Sequence, residues 1–226
     1  MNLDRLRKNV DGVRERIARA CASVGRSPED LVVIAVTKER PPEAVEALLK
    51  LGLRNIGENR VQDAAEKKPI VTLPARWHMI GHLQSNKSRG AIDTFDTIHT
   101  VDRPSLAQEL HKLLFAEARK MEIFVQVNVA GEKQKSGLPP DDVSAFVDTI
   151  RDRYPSLSPV GLMTLAPVTD EAGKVRWVFS RLRELSVQVG LTKLSMGMSQ
   201  DYAVAIEEGA THLRIGTAFF AGVIGP

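Results

Sequence analysis

Apolar residues return along this chain at two alternating periods. Leu3, Leu6, Val10, Val13, Ile17, Ala20 and Val24 recur at helical spacing, which predicts an amphipathic helix over 3–24 that Gly25 stops. Beyond it lie eight short apolar or β-branched runs, at 31–36, 53–57, 77–81, 97–101, 122–129, 159–164, 193–196 and 212–216. Most gaps between them carry a helical pattern, as at 42–51, 103–120, 140–151 and 171–189, the last with Val175, Val178, Phe179, Leu182 and Leu185 on one face. Strands alternating with helices predict a parallel sheet, and the count of eight predicts a closed (β/α)8 TIM barrel carrying an extra N-terminal helix. The seventh and eighth runs are short and weakly marked, so an open doubly wound sheet stands as the alternative. No repeat, low-complexity tract or linker interrupts the pattern, and residues 1–226 read as a single α/β domain.

A barrel places its chemistry at the C-terminal ends of the strands and in the loops that follow. Lys38 ends the first run, Asn59 follows the second, and His82 and Gln84 follow the third. Asn128 closes the fifth, Lys135 lies in the loop after it, and Met163 and Thr164 close the sixth. A lysine in a buried strand end is poorly solvated; burial favours a neutral amine, and a neutral amine attacks aldehydes. Taken alone, the same residue reads as a lysine that snorkels to the rim.

The last two loops suit an anion. SMGMSQD is a small-residue turn leading into helical sequence, and Ser199 fits an N-cap there. Gly216 and Thr217 follow the eighth strand in the same way, and phosphate sites in such barrels are often built from these two loops. Arg214, two residues before Gly216, would reach the middle of the barrel mouth if it faces inward. Its guanidinium would then oppose protonation of a pyridine nitrogen facing it. An aldehyde-accepting lysine opposite a phosphate cradle describes a site for pyridoxal 5′-phosphate.

Composition narrows the classes. With 43% hydrophobic residues among 226, the chain can bury a sizeable core. Lys+Arg is 31 against 28 Asp+Glu, a formal +3 with few aromatics and no long basic block, which argues against a nucleic-acid partner. The single cysteine, Cys21, excludes an internal disulfide and reads as a small buried residue in a reducing compartment. The charged start MNLDRLRKNV is no signal peptide and no run is long enough to span a membrane, so a cytoplasmic location is expected. The histidines His78, His82, His99, His111 and His212 show no metal-ligand spacing.

The segments AVTKERPPEAV, IGENRVQDAAEK, WHMIGHLQSNK, QVNVAGEKQKSG, GLMTLAP and SMGMSQDYAVAIEEGATHLRIGTAFF, taken together and in order, resemble the YggS/PROSC (PLPBP) pyridoxal-phosphate homeostasis proteins over nearly the whole chain. The resemblance implies a barrel of the alanine racemase N-terminal-domain type with pyridoxal phosphate held as a Schiff base on Lys38. It implies that Arg214 approaches the pyridine nitrogen, that Ser199, Gly216 and Thr217 hold the phosphate, and that Asn59, His82 and Met163 line the pocket. It assigns Lys135, in the KSG loop, to cofactor release or transfer, and raises pyridoxal phosphate-dependent apoenzymes as recipients. Two departures stand out: Arg60 replaces the usual aromatic after GEN, and the ending AFFAGVIGP replaces AIFG and a short basic tail.

Carrier and enzyme can be told apart on paper. Racemisation by two bases needs an acid/base on each face of the cofactor. Related racemases bring a tyrosine on a second domain and dimerise; here no second domain is expected, and Tyr154 and Tyr202 are not placed like that tyrosine. A non-catalytic carrier, expected as a monomer, is therefore the first reading. A weak racemase is the alternative, and a cofactor-free lysine aldolase is a third class.

Overall fold

The computed structural model describes residues 1–169 and 171–223. Eight parallel strands close into a barrel in chain order: β1 (Val32–Val36), β2 (Asn55–Glu58), β3 (Arg76–Met79), β4 (Thr97–Val101), β5 (Met121–Gln126), β6 (Leu157–Met163), β7 (Lys193–Ser195) and β8 (His212–Ile215). The ring is sealed by β1 against β8, with Ile34 opposite Arg214. That pairing rules out the open sheet. All eight predicted runs are strands, with ends shifted by a few residues. The largest shift is in the fifth, where Val127–Val129 leaves the strand because Val127 bridges Leu138 of the following loop instead.

The predicted first helix is α1 (Leu3–Ala22), opened by the Asn2 side chain, which accepts from the Arg5 amide at 3.0 Å. Its buried face (Leu6, Val10, Val13, Ile17, Ala20 and Cys21) packs on α8 (Tyr202–Glu207) and α9 (Thr217–Phe220). The departing end of the chain lies on the same helix: the Asn9 amide donates to the carbonyls of Phe219 and Ala221 at 2.8 and 2.9 Å. Of the unusual ending, residues 224–226 lie outside the described residues. Around the barrel run α2 (Pro42–Lys50), α3 (Val61–Lys67), α4 (Ser88–Thr94), α5 (Pro104–Ala116), α6 (Val143–Arg153) and α7 (Arg176–Gln188). The sequence pattern does not single out α3 and α4; at seven residues each they are too short to display two periods.

The aliphatic core lies between strands and helices, where residues such as Ile56, Ile98, Val125, Leu48, Leu110 and Val178 are fully buried. Inside the ring the filling is different. Ile34 and Phe124 share the space with Asn55, His78, His99, Ser195, His212 and Arg214. His99 stacks on Phe124 with ring centroids 4.3 Å apart, and His212 meets the same ring edge-on at 4.9 Å. No helix among the described residues is long and apolar enough to cross a membrane.

Candidate functional site

A cavity of about 640 Å³ opens at the C-terminal mouth of the barrel. Six of the residues expected to form a site line it: Lys38, Asn59, Ser199, Arg214, Gly216 and Thr217. They come from the ends of β1, β2, β7 and β8, so the fold gathers them across more than 170 positions of sequence. Three others do not line it. Met163 is wholly buried at the end of β6, in register with Ser195. His82 is exposed in the turn after β3, where Nδ1 pairs with Ser136 Oγ at 3.0 Å. Lys135 reaches across to the loop after β6 and donates to the Ala166 carbonyl at 2.9 Å, between the cavity-lining Leu165 and Pro167.

Lys38 departs from expectation in one respect. It is exposed, because β1 ends at Val36 and Thr37 takes the last buried position. The residue rides on a tight turn in which the Arg40 amide donates to the Thr37 carbonyl at 3.0 Å. Glu39, at the third position of that turn, has φ of 61°, a left-handed conformation usually left to glycine. Such a conformation costs a non-glycine residue about 1 kcal/mol or more and tends to sit where function needs it. Arg40 lies over the Phe220 ring at 4.9 Å, and both line the cavity.

The two predicted loops, after β7 and β8, line the same cavity, and Gly216 packs directly against Val36 of the strand that leads to Lys38. Ser199 does not cap the helix that follows it; Asp201 stands at the N-cap position without bonding a helix amide, its Oδ1 accepting instead from the preceding Met198 amide at 2.5 Å. Ser199 Oγ instead accepts from the Ala218 amide at 3.1 Å, tying the turn after β7 to the start of α9. Its hydroxyl hydrogen is left to donate elsewhere. The backbone amides of Ser199, Gln200, Gly216 and Thr217 donate to no partner among the described residues. Four amides without a protein partner, together with the Ser199 hydroxyl, are a donor set whose chemistry suits an oxyanion. Burial pushes the Asp201 carboxyl above its ordinary value, against the opposing pull of the Met198 amide and the Arg214 charge.

Arg214 forms the floor. It is 4% exposed and donates to Ser195 Oγ and to the Thr164 carbonyl, both at 2.7 Å. Burial pushes its guanidinium down to about 10, still charged at neutral pH, with the nearby Asp201 opposing the shift. From Ser195 a line of hydrogen bonds runs down the barrel axis: to His99 Nδ1 at 2.8 Å, from His99 Nε2 to His78 Nδ1 at 3.0 Å, and from His78 Nε2 to Asn55 Oδ1 at 3.0 Å. Asn55 Oδ1 can only accept, so His78 donates from Nε2 and accepts at Nδ1. His99 then donates from Nε2 and accepts at Nδ1 from Ser195. Every proton points the same way, and both imidazoles are neutral. Burial holds all three interior histidines low, His78 at about 3, His212 at about 4 and His99 well below its ordinary value. The sequence carries a signal for this line: each of these histidines interrupts an apolar run read as a buried strand. Which of them touch depends on barrel register.

The turn after β3 braces the site from the side. A Cβ placed on Gly81 would lie 2.2 Å from the Asn59 carbonyl oxygen and 2.7 Å from its Cα. Gly81→Ala must therefore push the Asn59 backbone out of the cavity wall. A loss of about 2–4 kcal/mol in unfolding free energy is expected, of the size seen for forced overpacking, measurable by urea denaturation.

Fold and site together define a (β/α)8 barrel of the alanine racemase type. The family model described as alanine racemase, N-terminal domain, matches residues 1–222. Within that class the chain belongs to the family of pyridoxal phosphate homeostasis proteins: the curated protein of that name from Pseudomonas aeruginosa is 41% identical over 216 residues, covering 94% of each chain. PipY from Synechococcus elongatus PCC7942, solved with PLP bound, superposes with a TM-score of 0.79 at 35% identity, over 91% of this chain and 100% of that one. Alanine racemase from Clostridium difficile 630 superposes at 0.77 with 16% identity, over 97% of this chain and 57% of the racemase, a likeness of fold alone.

Proposed function

We propose that this protein binds pyridoxal 5′-phosphate and keeps it available to the cell, holding it covalently on Lys38 and buffering or delivering it without turning over a substrate. The observation that carries the reading is the presence, in the lining of one cavity, of a primary amine, of amides and hydroxyls with donors to spare, and of a fixed cation. That donor set fits the group: the cofactor supplies an aldehyde that condenses with an amine and a phosphate that needs donors. Lys38 would hold the aldehyde end covalently through its amine. Ser199, Gly216 and Thr217 hold the phosphate, Asn59 stands beside Lys38, and Lys135 braces the loop through which ligand enters and leaves. His82 and Met163, which do not line the cavity, are given no contact with the ligand.

Holding rather than turnover is supported by Arg214. A buried cation at the floor, fixed by Ser195 and Thr164, can donate a hydrogen bond to a ring nitrogen but keeps its protons, and its charge opposes protonation of that nitrogen. A ring that stays neutral is a poor electron sink. The names of the relatives, homeostasis proteins rather than enzymes, point the same way. The test is direct. Protein incubated with pyridoxal 5′-phosphate and reduced with borohydride is expected to gain one equivalent of the pyridoxyl phosphate mass, located by peptide mapping on Lys38. Label spread over surface lysines, with Lys38 unmodified, would defeat the reading.

A further inference from the structure

The turn that carries Lys38 is strained at Glu39, and a buried ion pair lies directly beneath it. Lys67, the last residue of α3, sends Nζ inward to Glu58 Oε1 at 2.7 Å and to the Thr37 carbonyl at 2.9 Å. Thr37 Oγ1 donates to the same Glu58 oxygen at 2.6 Å. Glu58 and Thr37 are fully buried, and Lys67 is 8% exposed. Glu58 precedes Asn59 and Thr37 precedes Lys38, so three side chains fasten the two residues that stand side by side in the cavity wall. The Thr37 carbonyl thus accepts twice, from Arg40 within the turn and from Lys67 beneath it.

We propose that Glu58 and Lys67 are positioning residues: the pair holds the left-handed turn against its strain and so aims the Lys38 amine at the cavity. This rests on the reading of Lys38 as the attachment point. The bland alternative is an ion pair that only fills the space under α3. A buried pair replaced as a whole by neutral groups is often tolerated, whereas removing one partner strands a charge. The informative variant is therefore the double change Glu58→Gln with Lys67→Met. It is expected to fold, by thermal melt, and to show two effects of about tenfold, each the equivalent of one lost hydrogen bond to a charged group. Exchange of the Arg40 amide in the unliganded protein, read by hydrogen-exchange mass spectrometry or NMR, should quicken. Borohydride-trapped labelling of Lys38 by pyridoxal 5′-phosphate should slow.

Adding Glu39→Gly, which relaxes the left-handed residue, is expected to recover most of the labelling rate. A merely loosened barrel would not be repaired by a glycine. Unchanged Arg40 exchange together with unchanged labelling in the folded double variant overturns the proposal, and so does failure of Glu39→Gly to restore labelling. If the double variant does not fold, Thr37→Val removes one bond of the set and should move both readouts in the same direction, by about threefold; no movement overturns the proposal. Wild-type protein that acquires no label on Lys38 sinks the functional reading alone, because Arg40 exchange still reports on the turn.

Discussion

Lys38→Ala is expected to lose covalent capture of pyridoxal 5′-phosphate completely while keeping the fold. The side chain is exposed and its removal opens no core cavity, so the melting temperature should stay within a degree or two of wild type. What remains is the cradle, which can still bind a phosphate reversibly through the amides of Ser199, Gln200, Gly216 and Thr217. Affinity should fall by at least about 100-fold, or ~3 kcal/mol, measured by equilibrium dialysis. Lys38→Arg should not restore capture, because a guanidinium keeps its proton and is no nucleophile. Ser199→Ala should behave in the opposite manner: weaker capture, but label still on Lys38. Retention of the characteristic absorbance by Lys38→Ala would place the attachment elsewhere and undo the assignment.

The second large effect concerns acid. His78, His99 and His212 are neutral inside the barrel, with values pushed down by burial, while in the unfolded chain each takes a proton near pH 6.5. Below that pH the unfolded state binds more protons than the folded one, so stability is full above about 6.5 and falls as the pH drops toward 4 and then 3. Each histidine contributes up to about 1.4 kcal/mol per pH unit, and the three together ~4 kcal/mol per unit, against a total stability of about 5–15 kcal/mol. Urea midpoints are expected to slide steeply from pH 6.5 to 4.5, before most carboxylates begin to titrate. His212→Phe should reduce the slope by about one third, since its ring already packs edge-on against Phe124 and, among the described residues, its ring nitrogens meet only the neighbouring Thr211 hydroxyl. A flat profile down to pH 5 would show that these imidazoles are protonated in the native barrel.

Much of this was readable from residue types alone. Alternating apolar runs and helical stretches located all eight strands, because a parallel strand buried on both faces is apolar over most of its length. Of the nine residues that the family motifs point to, six line one cavity. Other features depend on geometry that no local pattern encodes. The six-residue apolar run 31–36 predicts a buried Lys38, yet the strand stops two residues before it and the turn lifts it into solvent. Ser199 looked like the cap of its own helix, whereas it serves the amide of Ala218, brought beside it only when β7 and β8 pair. The histidine line joins β2, β3, β4 and β7, and the Glu58–Lys67 pair joins a strand end to the last turn of a seven-residue helix. Both need the register of neighbouring strands, which sequence spacing leaves open.

The exposure of Lys38 bears on traffic rather than on storage. On the proposed reading, a ligand carried on that exposed turn is open to an incoming primary amine from the solvent side while its phosphate is still held by the neighbouring loops. The rate of hand-over would then rise with the concentration of the amine that arrives.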